Sequence, residues 1–233
     1  MQPIYNFNFE APSLGFDRVG LPETIARRTR QVYDVLASVY PLSTFLFHSK
    51  AHRCALEFSG IRDGMRVLEA ATGSGEMFHR ILTANGRGRT VGLDLSTKMA
   101  ARTLGRARSS FPDAWAQCQA VDARHLPFRD ESFDAVVCCY LLELLAPEDI
   151  LIVLREFRRV LRSRGRLTLV CIGESGAMFN RIYRQMGSLV PAFWGRQVER
   201  RVPEMLERND FRIIADRTVR QTLYPSRVLA ATR

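Results

Sequence analysis

Val67-Leu68-Glu69-Ala70-Ala71-Thr72-Gly73-Ser74-Gly75-Glu76 is an apolar run that breaks into a glycine turn and then enters a helical pattern running to Ala84. The order reads as strand Arg66–Ala70, turn, helix Glu76–Ala84. Gly73 and Gly75 let the backbone turn sharply and approach a ligand with no Cβ in the way. In open α/β sheets a ligand lies beyond the carboxyl ends of the strands, where this turn falls. A dinucleotide fingerprint would need glycine or alanine three residues after Gly75, and Phe78 stands there. The acids Glu69 and Glu76 also serve a pyrophosphate poorly and suit a cationic ligand. A tight turn with no ligand is the plainer alternative, so the rest of the chain has to decide.

The following residues repeat the strand–helix alternation. Thr90–Asp94 is a second strand, Ser96 caps a helix to about Arg108, and a third strand near Ala116–Val121 ends at Asp122. Asp94, about twenty residues past the turn, is positioned for the two hydroxyls of a ribose; its alternative role is to cap the next helix, for which Ser96 is also available. Phe133–Tyr140 is apolar on both faces, as a central parallel strand should be. Pro147, Glu148 and Asp149 open a helix, whose residues Ile150, Val153, Leu154, Phe157, Val160 and Leu161 form one stripe. Leu167–Ile172 is a fifth strand, and a short helix runs from Pro203 to Asn209, with asparagine as a left-handed cap. The last strands, Arg212–Thr218 and Thr222–Ala231, are joined by only Val219–Gln221 and must pair antiparallel. The expectation is a Rossmann-like, seven-stranded, mostly parallel sheet with an antiparallel last strand, helices on both faces and a small helical lid. Upstream, residues 1–20 read as an extended arm and Glu23–Val39 and Thr44–Phe58 as helices with Pro41 between them. Residues 1–60 are therefore expected to form arm and lid, and residues 61–233 the ligand-binding domain.

Composition narrows the function classes. At 233 residues with 46% hydrophobic and 25% charged side chains, the chain suits one soluble domain. The longest apolar stretch, Ala135–Leu142, is far too short to span a bilayer, and residues 1–10 lack the basic start and apolar region of a signal peptide. The expected location is the cytoplasm. Five cysteines without a CxxC pair point to reduced thiols. The net charge of +10 comes from 34 basic residues, all arginine except Lys50 and Lys98, spread along the chain. No aromatic-interleaved basic block marks a nucleic-acid groove; an acidic small molecule, or peripheral association with an anionic membrane surface, accounts for the charge equally well.

Val121-Asp122-Ala123, Leu126-Pro127-Phe128 and Ser132-Phe133-Asp134 complete the pattern. With the glycine turn and Asp94 they make the chain resemble class I S-adenosylmethionine (SAM)-dependent methyltransferases, from about Val32 to Ala230. Within that class it is most similar to the ubiquinone/menaquinone biosynthesis C-methyltransferases, through Val35-Leu36-Ala37-Ser38-Val39-Tyr40, His52-Arg53 and Glu156-Phe157-Arg158-Arg159-Val160-Leu161. The resemblance implies that Glu69, Gly73, Ser74 and Gly75 contact the methionine part of SAM and that Asp94, with Leu95 beside it, takes the ribose. It further implies Asp122 and Ala123 at the adenine edge, and Cys139 and Tyr140 near the sulfonium. Four departures stand out. Ala71 replaces the first glycine of the family turn, a change that a negative φ there would make tolerable. Arg162-Ser163-Arg164-Gly165 replaces Lys-Pro-Gly-Gly, Pro41 stands where the quinone enzymes have aspartate, and Trp194–Arg201 is shorter than theirs and lacks Tyr-Leu-x-x-Ser.

Methyl transfer from a sulfonium is an in-line displacement with a good leaving group, so the protein's main task is alignment. A general base is needed only where the acceptor must first lose a proton. Tyr140, Glu143 and His125 are the candidates, with Tyr140 and Glu143 also readable as pocket wall and helix start. The lid is expected from residues 21–60 and 173–201, which carry Tyr33, Tyr40, Phe45, Phe47, Phe179, Tyr183, Phe193 and Trp194 and suit a planar or lipidic acceptor. His48 and His52, four apart, have no evident third metal ligand, and no metal is expected. The competing functions are a Rossmann oxidoreductase, an RNA methyltransferase and a non-catalytic SAM-binding partner protein.

Overall fold

A computed structural model describes residues 40–174, 197–221 and 224–233, with only the backbone helix for residues 40–48. Its centre is one seven-stranded sheet in the order β3-β2-β1-β4-β5-β7-β6. The strands are β1 (Arg66–Ala70), β2 (Arg89–Asp94), β3 (Trp115–Ala120), β4 (Phe133–Cys139), β5 (Leu161–Ile172), β6 (Arg212–Val219) and β7 (Ser226–Thr232). β1 to β5 pair in parallel, and β7 runs antiparallel to both β5 and β6, so the antiparallel last strand is as expected. The strand order reverses between β1 and β4, because β1 is flanked by β2 on one side and β4 on the other. That is the switch point at which open sheets of this kind bind ligands.

Period-two alternation assigns each strand residue to a face. Val67, Ala135, Val137, Val170 and Val228 share one core cluster with Ala51, Cys54, Ala55, Met77 and Ile81. These last come from α1 (Tyr40–Ser59) and α2 (Glu76–Ala84), and α3 (Thr97–Ser110) joins the same layer through Ala107 against Phe78 and Leu82. Leu68, Val136, Leu167 and Leu229 point the other way, to α4 (Pro147–Val160) and α5 (Val202–Arg208), through Ile150, Leu154, Phe157 and Leu206. Both faces of β1 and β4 are thus buried, which is why their sequences are continuous apolar runs. In α1, Ala51 and Ala55 are fully buried; that part of the helix covers the sheet.

Several sequence expectations move. Pro41 lies within α1, in the first turn described, rather than between two helices; proline costs little there because the early N–H groups have no intrahelical partner. β5 starts at Leu161, because Arg162–Gly165 forms a bulge between the Phe133↔Leu161 and Ala135↔Arg166 pairings. Arg164 is left-handed in it, with φ 63°. Asn209 has φ −103° and is not the left-handed cap; Asp210 is, with φ 55°. Phe211 donates to Leu206 O and Asp210 to Glu207 O, both at 3.0 Å, closing α5 in the two-bond pattern of a Schellman end. The β6–β7 connection is longer than Val219–Gln221, since β7 begins at Ser226. Glu23–Val39 lies outside the described residues.

Candidate functional site: the glycine turn and the strand ends around it

The turn after β1 is held on all sides. Thr72 N–H donates to Leu93 O at 2.9 Å, which ties the turn to β2, and Gly75 N–H donates back to Thr72 O at 2.8 Å. Gly73 N–H donates to Asp94 Oδ2 at 2.8 Å, while Asp94 Oδ1 accepts from Ser96 N–H at 2.9 Å. One carboxylate therefore fastens the turn to the head of α3. Asp94 thus braces both segments, and Ser96 caps α3 by accepting from Met99 N–H.

Three alternate positions of the turn lie in the left-handed region. Gly73 and Gly75 have φ 49° and 79°, and Ala71 has φ 62°. The negative φ that would make Ala71 tolerable is therefore not what the chain adopts. Alanine keeps the backbone shape that glycine would take freely, at a strain of roughly 1–2 kcal/mol. Gly75 is the tighter glycine: a Cβ there would lie 2.9 Å from Thr103 Oγ1, whereas one at Gly73 would meet nothing within 4 Å.

The two acids flanking the turn differ. Glu76 is already paired, 3.1 Å from Arg80 and 3.9 Å from Arg106. Glu69 is 1% exposed and its Oε2 has no hydrogen-bond partner. Burial, and then the neighbouring Asp94, push its carboxyl well above the usual carboxylate range. A cation bound beside it would compensate a carboxylate that is otherwise costly to ionise. Thr72, 4% exposed, also leaves its Oγ1 unpartnered. A glycine cradle with an uncompensated buried carboxylate at one end fits a zwitterionic, cationic ligand such as SAM and not a dinucleotide.

Along the rim, Val121 N–H donates to Asp94 O, tying the exit of β3 to the end of β2; Leu95 and Ala123 are half-buried beside it. Burial opposes ionisation of Asp122, but Arg124 outweighs it and holds that carboxyl below the usual range. Arg124 grips Asp122 through Nε and Nη2 and reaches Asp149 at the head of α4 through Nη1 at 3.2 Å. That clasp was not legible in the sequence, where Arg124 carried no signal.

The three acid–base candidates do not converge. His125 is exposed on the turn after β3, its N–H donating to Asp122 O. Tyr140, at the end of β4 with φ 57°, bonds Ser226 through its hydroxyl at 2.9 Å. Gln221 donates to that Ser226 Oγ at 2.7 Å and accepts from Ala51 N–H at 3.2 Å. Burial pushes the phenol well above its ordinary range. Its ring lies 6.0 Å from that of His52. Glu143 is 2% exposed, and its Oε1 accepts from Ile172 N–H at 2.5 Å, joining the residues after β4 to the end of β5. Burial pushes its carboxyl up to about 7. Cys139, 8% exposed, is buried next to Tyr140 and its thiol is pushed well up by burial. The lid aromatics lie outside the described side chains. Among the described residues no helix is long and apolar enough to cross a membrane.

With this geometry in hand, the chain can be set beside known proteins. A family described as a methyltransferase domain matches residues 67–165. The ubiquinone/menaquinone biosynthesis C-methyltransferase of Nitrosospira multiformis is 31% identical over 174 residues, 72% of this chain and 69% of that one. Its counterpart in Cellvibrio japonicus is 31% identical over 168 residues, 67% of this chain. That match spans 64% of the Cellvibrio protein, less than two thirds of its length. Among solved structures, a [4+2]-cyclase superposes with a TM-score of 0.67 at 17% identity, covering 88% of this chain and 96% of its own; that likeness is one of fold.

Proposed function

This chain belongs to the SAM-dependent methyltransferases, in the branch of the ubiquinone/menaquinone biosynthesis C-methyltransferases, and on that premise we propose that it methylates a small aromatic or lipophilic molecule. The observation that carries the cofactor half of this reading is the unpartnered, buried Glu69 carboxylate beside the glycine turn. SAM, when bound, supplies a methyl group on a sulfonium, a good leaving group for in-line displacement. Glu69 and the turn at Gly73, Ser74 and Gly75 would hold its amino-acid end, and Asp94 and Leu95 its ribose. Asp122 and Ala123 would meet the adenine, with Asp122 sharing its oxygens between that edge and Arg124.

Tyr140 serves as wall and hydrogen-bonding post rather than base: its hydroxyl is engaged by Ser226 and its proton is held tightly by burial. Glu143 ties the ends of β4 and β5 together. The residues' contribution to rate is then alignment, an effect that reaches roughly 7–11 kcal/mol where reacting atoms are well oriented. The acceptor class is supported by the quinone-biosynthesis relatives and by the aromatic content of residues 21–60 and 173–201. We assign the acceptor cover to residues 21–60, whose Ala51, Cys54 and Ala55 also pack into the core, together with residues 173–201, and residues 61–233 as a whole to the domain that binds SAM.

The [4+2]-cyclase on the same fold gives a specific reason to keep other roles in view. Incubation with methyl-labelled SAM and, separately, total lipid, aqueous small molecules and RNA tests the proposal. Label in an organic-soluble small molecule is the expected result. Label in RNA would favour the nucleic-acid reading, and tight SAM binding with no labelled product would favour a non-catalytic partner.

A further inference from the structure

We infer that Arg106, with Thr103 one turn before it, is a positioning residue: from the outer side of the glycine turn, α3 locks the peptide groups that receive the amino-acid end of the cofactor. The inference rests on the SAM-binding reading and goes beyond it, since neither residue belongs to a strand-end motif. Thr103 and Arg106 are three apart on α3 and so project from one side of the helix. Thr103, 1% exposed, donates from Oγ1 to Gly73 O at 3.4 Å. Arg106 donates from Nη1 to Ser74 O at 2.6 Å, and its Nη2 lies 3.9 Å from the Glu76 carboxylate.

The hydrogen bonds of the turn make the consequence specific. The Ser74–Gly75 peptide is fixed at both ends, its carbonyl by Arg106 and its N–H by Thr72 O. Gly73 N–H is taken by Asp94. The carbonyls of Gly73 and Ser74 are thereby drawn to α3, and Ser74 N–H, between them, has no partner among the described residues. Ser74 N–H belongs to the Gly73–Ser74 peptide, whose carbonyl Thr103 holds, and Arg106 holds the next peptide; with both held, that amide keeps one orientation for an incoming carboxylate. Arg106 and Arg80 also neutralise Glu76 at the head of α2, where an unpaired carboxylate would repel the same group. The closeness of α3 explains the glycine at 75: a Cβ there would strike Thr103 Oγ1 at 2.9 Å. Clamp and glycine form one unit.

A lock on the amino-acid end should leave the nucleoside end alone, and that separates it from a general structural role. Calorimetric affinities for SAM and for 5′-methylthioadenosine, which has the nucleoside but no amino-acid tail, are measured for wild type, Arg106→Met, Arg106→Lys and Thr103→Val. Arg106→Met should weaken SAM about tenfold, as loss of a charged hydrogen bond does when partly exposed to water. Methylthioadenosine should stay within about twofold, and Arg106→Lys should recover part of the loss. Equal loss for both ligands, or unchanged SAM affinity in a folded Arg106→Met, overturns the inference and leaves SAM binding standing. Should Arg106→Met not fold, wild-type SAM affinity in both Arg106→Lys and Thr103→Val overturns it equally. A wild type that binds no SAM overturns the cofactor reading and this inference with it.

Discussion

The two ends of the switch point are built on different plans. On the β1–β2–β3 side, the turn, Asp94 and Asp122 come from one stretch, 67–122, and the bonds between them bridge neighbouring segments of chain. On the β4–β5–β7 side, Tyr140 is held by Ser226, 86 residues later in the chain, and Gln221 reaches Ala51 across 170 residues. The first side has an unpartnered buried carboxylate beside a glycine cradle. The second is tied together by Tyr140, Ser226, Gln221 and Glu143, although Glu143 Oε2 and Thr168 Oγ1 are also buried without a partner. What separates the two sides is therefore the glycine turn, whose bonds are local, against a wall whose bonds join segments far apart in the chain.

The sharpest way to break this comparison is Gly75→Val. It places a β-branched side chain at φ 79° with its Cβ 2.9 Å from Thr103 Oγ1. Strain and overpacking together should cost about 3 kcal/mol or more of stability and take SAM binding below detection. Gly73→Ala, with open space around its Cβ, should cost only the left-handed strain, about 1 kcal/mol. Denaturant midpoints for the pair would show it, and equal damage from both would contradict a clamp that comes from α3.

On the β4–β5–β7 side the comparable test is pH. The Glu143 carboxyl rises from an ordinary 4.5 to about 7 through burial. Between those pH values the folded chain keeps a proton that the unfolded chain releases, so stability should fall as pH rises through that window. The total is about 3 kcal/mol. Glu143→Gln can still accept from Ile172 N–H and should remove this slope, being the more stable protein at pH 8 and nearly equal to wild type at pH 5. Glu69 is shifted in the same direction and is present in both, so the difference between the two curves isolates Glu143. Parallel curves would mean the buried tie carries no such proton.

Asp94→Ala comes next. Because Asp94 braces Gly73 and Ser96, it should weaken SAM by about 1.5–3 kcal/mol, roughly ten- to a hundredfold, and also cost about 1 kcal/mol of stability. Stability lost with affinity intact would remove the ribose role. The smallest effect is a gain: Ala71→Gly relieves φ 62° and should stabilise the fold by about 1 kcal/mol while leaving SAM affinity within about twofold.

The same contrast explains what could be read in advance. The bounds of β1 and α2 and the Ser96 cap follow from residues a few positions apart, and all three are legible in the chain. So is the antiparallel ending, from the shortness of its connection. Asparagine tolerates the left-handed region and so points to Asn209 as the cap, but the deciding bonds are those of Asp210 and Phe211 back to α5, and these follow from where Phe211 is buried. The sign of φ at Ala71 is likewise set by what the turn must reach on β2 and not by alanine's own preference. Arg106 and Arg124 were invisible for the same reason in a chain with arginines throughout: nothing in an arginine's neighbours says which carbonyl or carboxylate it will find. The sequence puts Tyr140 and Glu143 at a strand end, but whether they face an open site or tie strands together depends on Ser226 and Ile172, which come from other strands.

Calorimetry of the purified chain with SAM, S-adenosylhomocysteine, NAD and NADP tests the central claim most directly. The open Glu69 carboxylate, the glycine cradle and Phe78 at the third fingerprint position together give SAM and S-adenosylhomocysteine micromolar or tighter affinity, with neither NAD nor NADP approaching it. Micromolar binding of NAD with none of SAM would contradict the account.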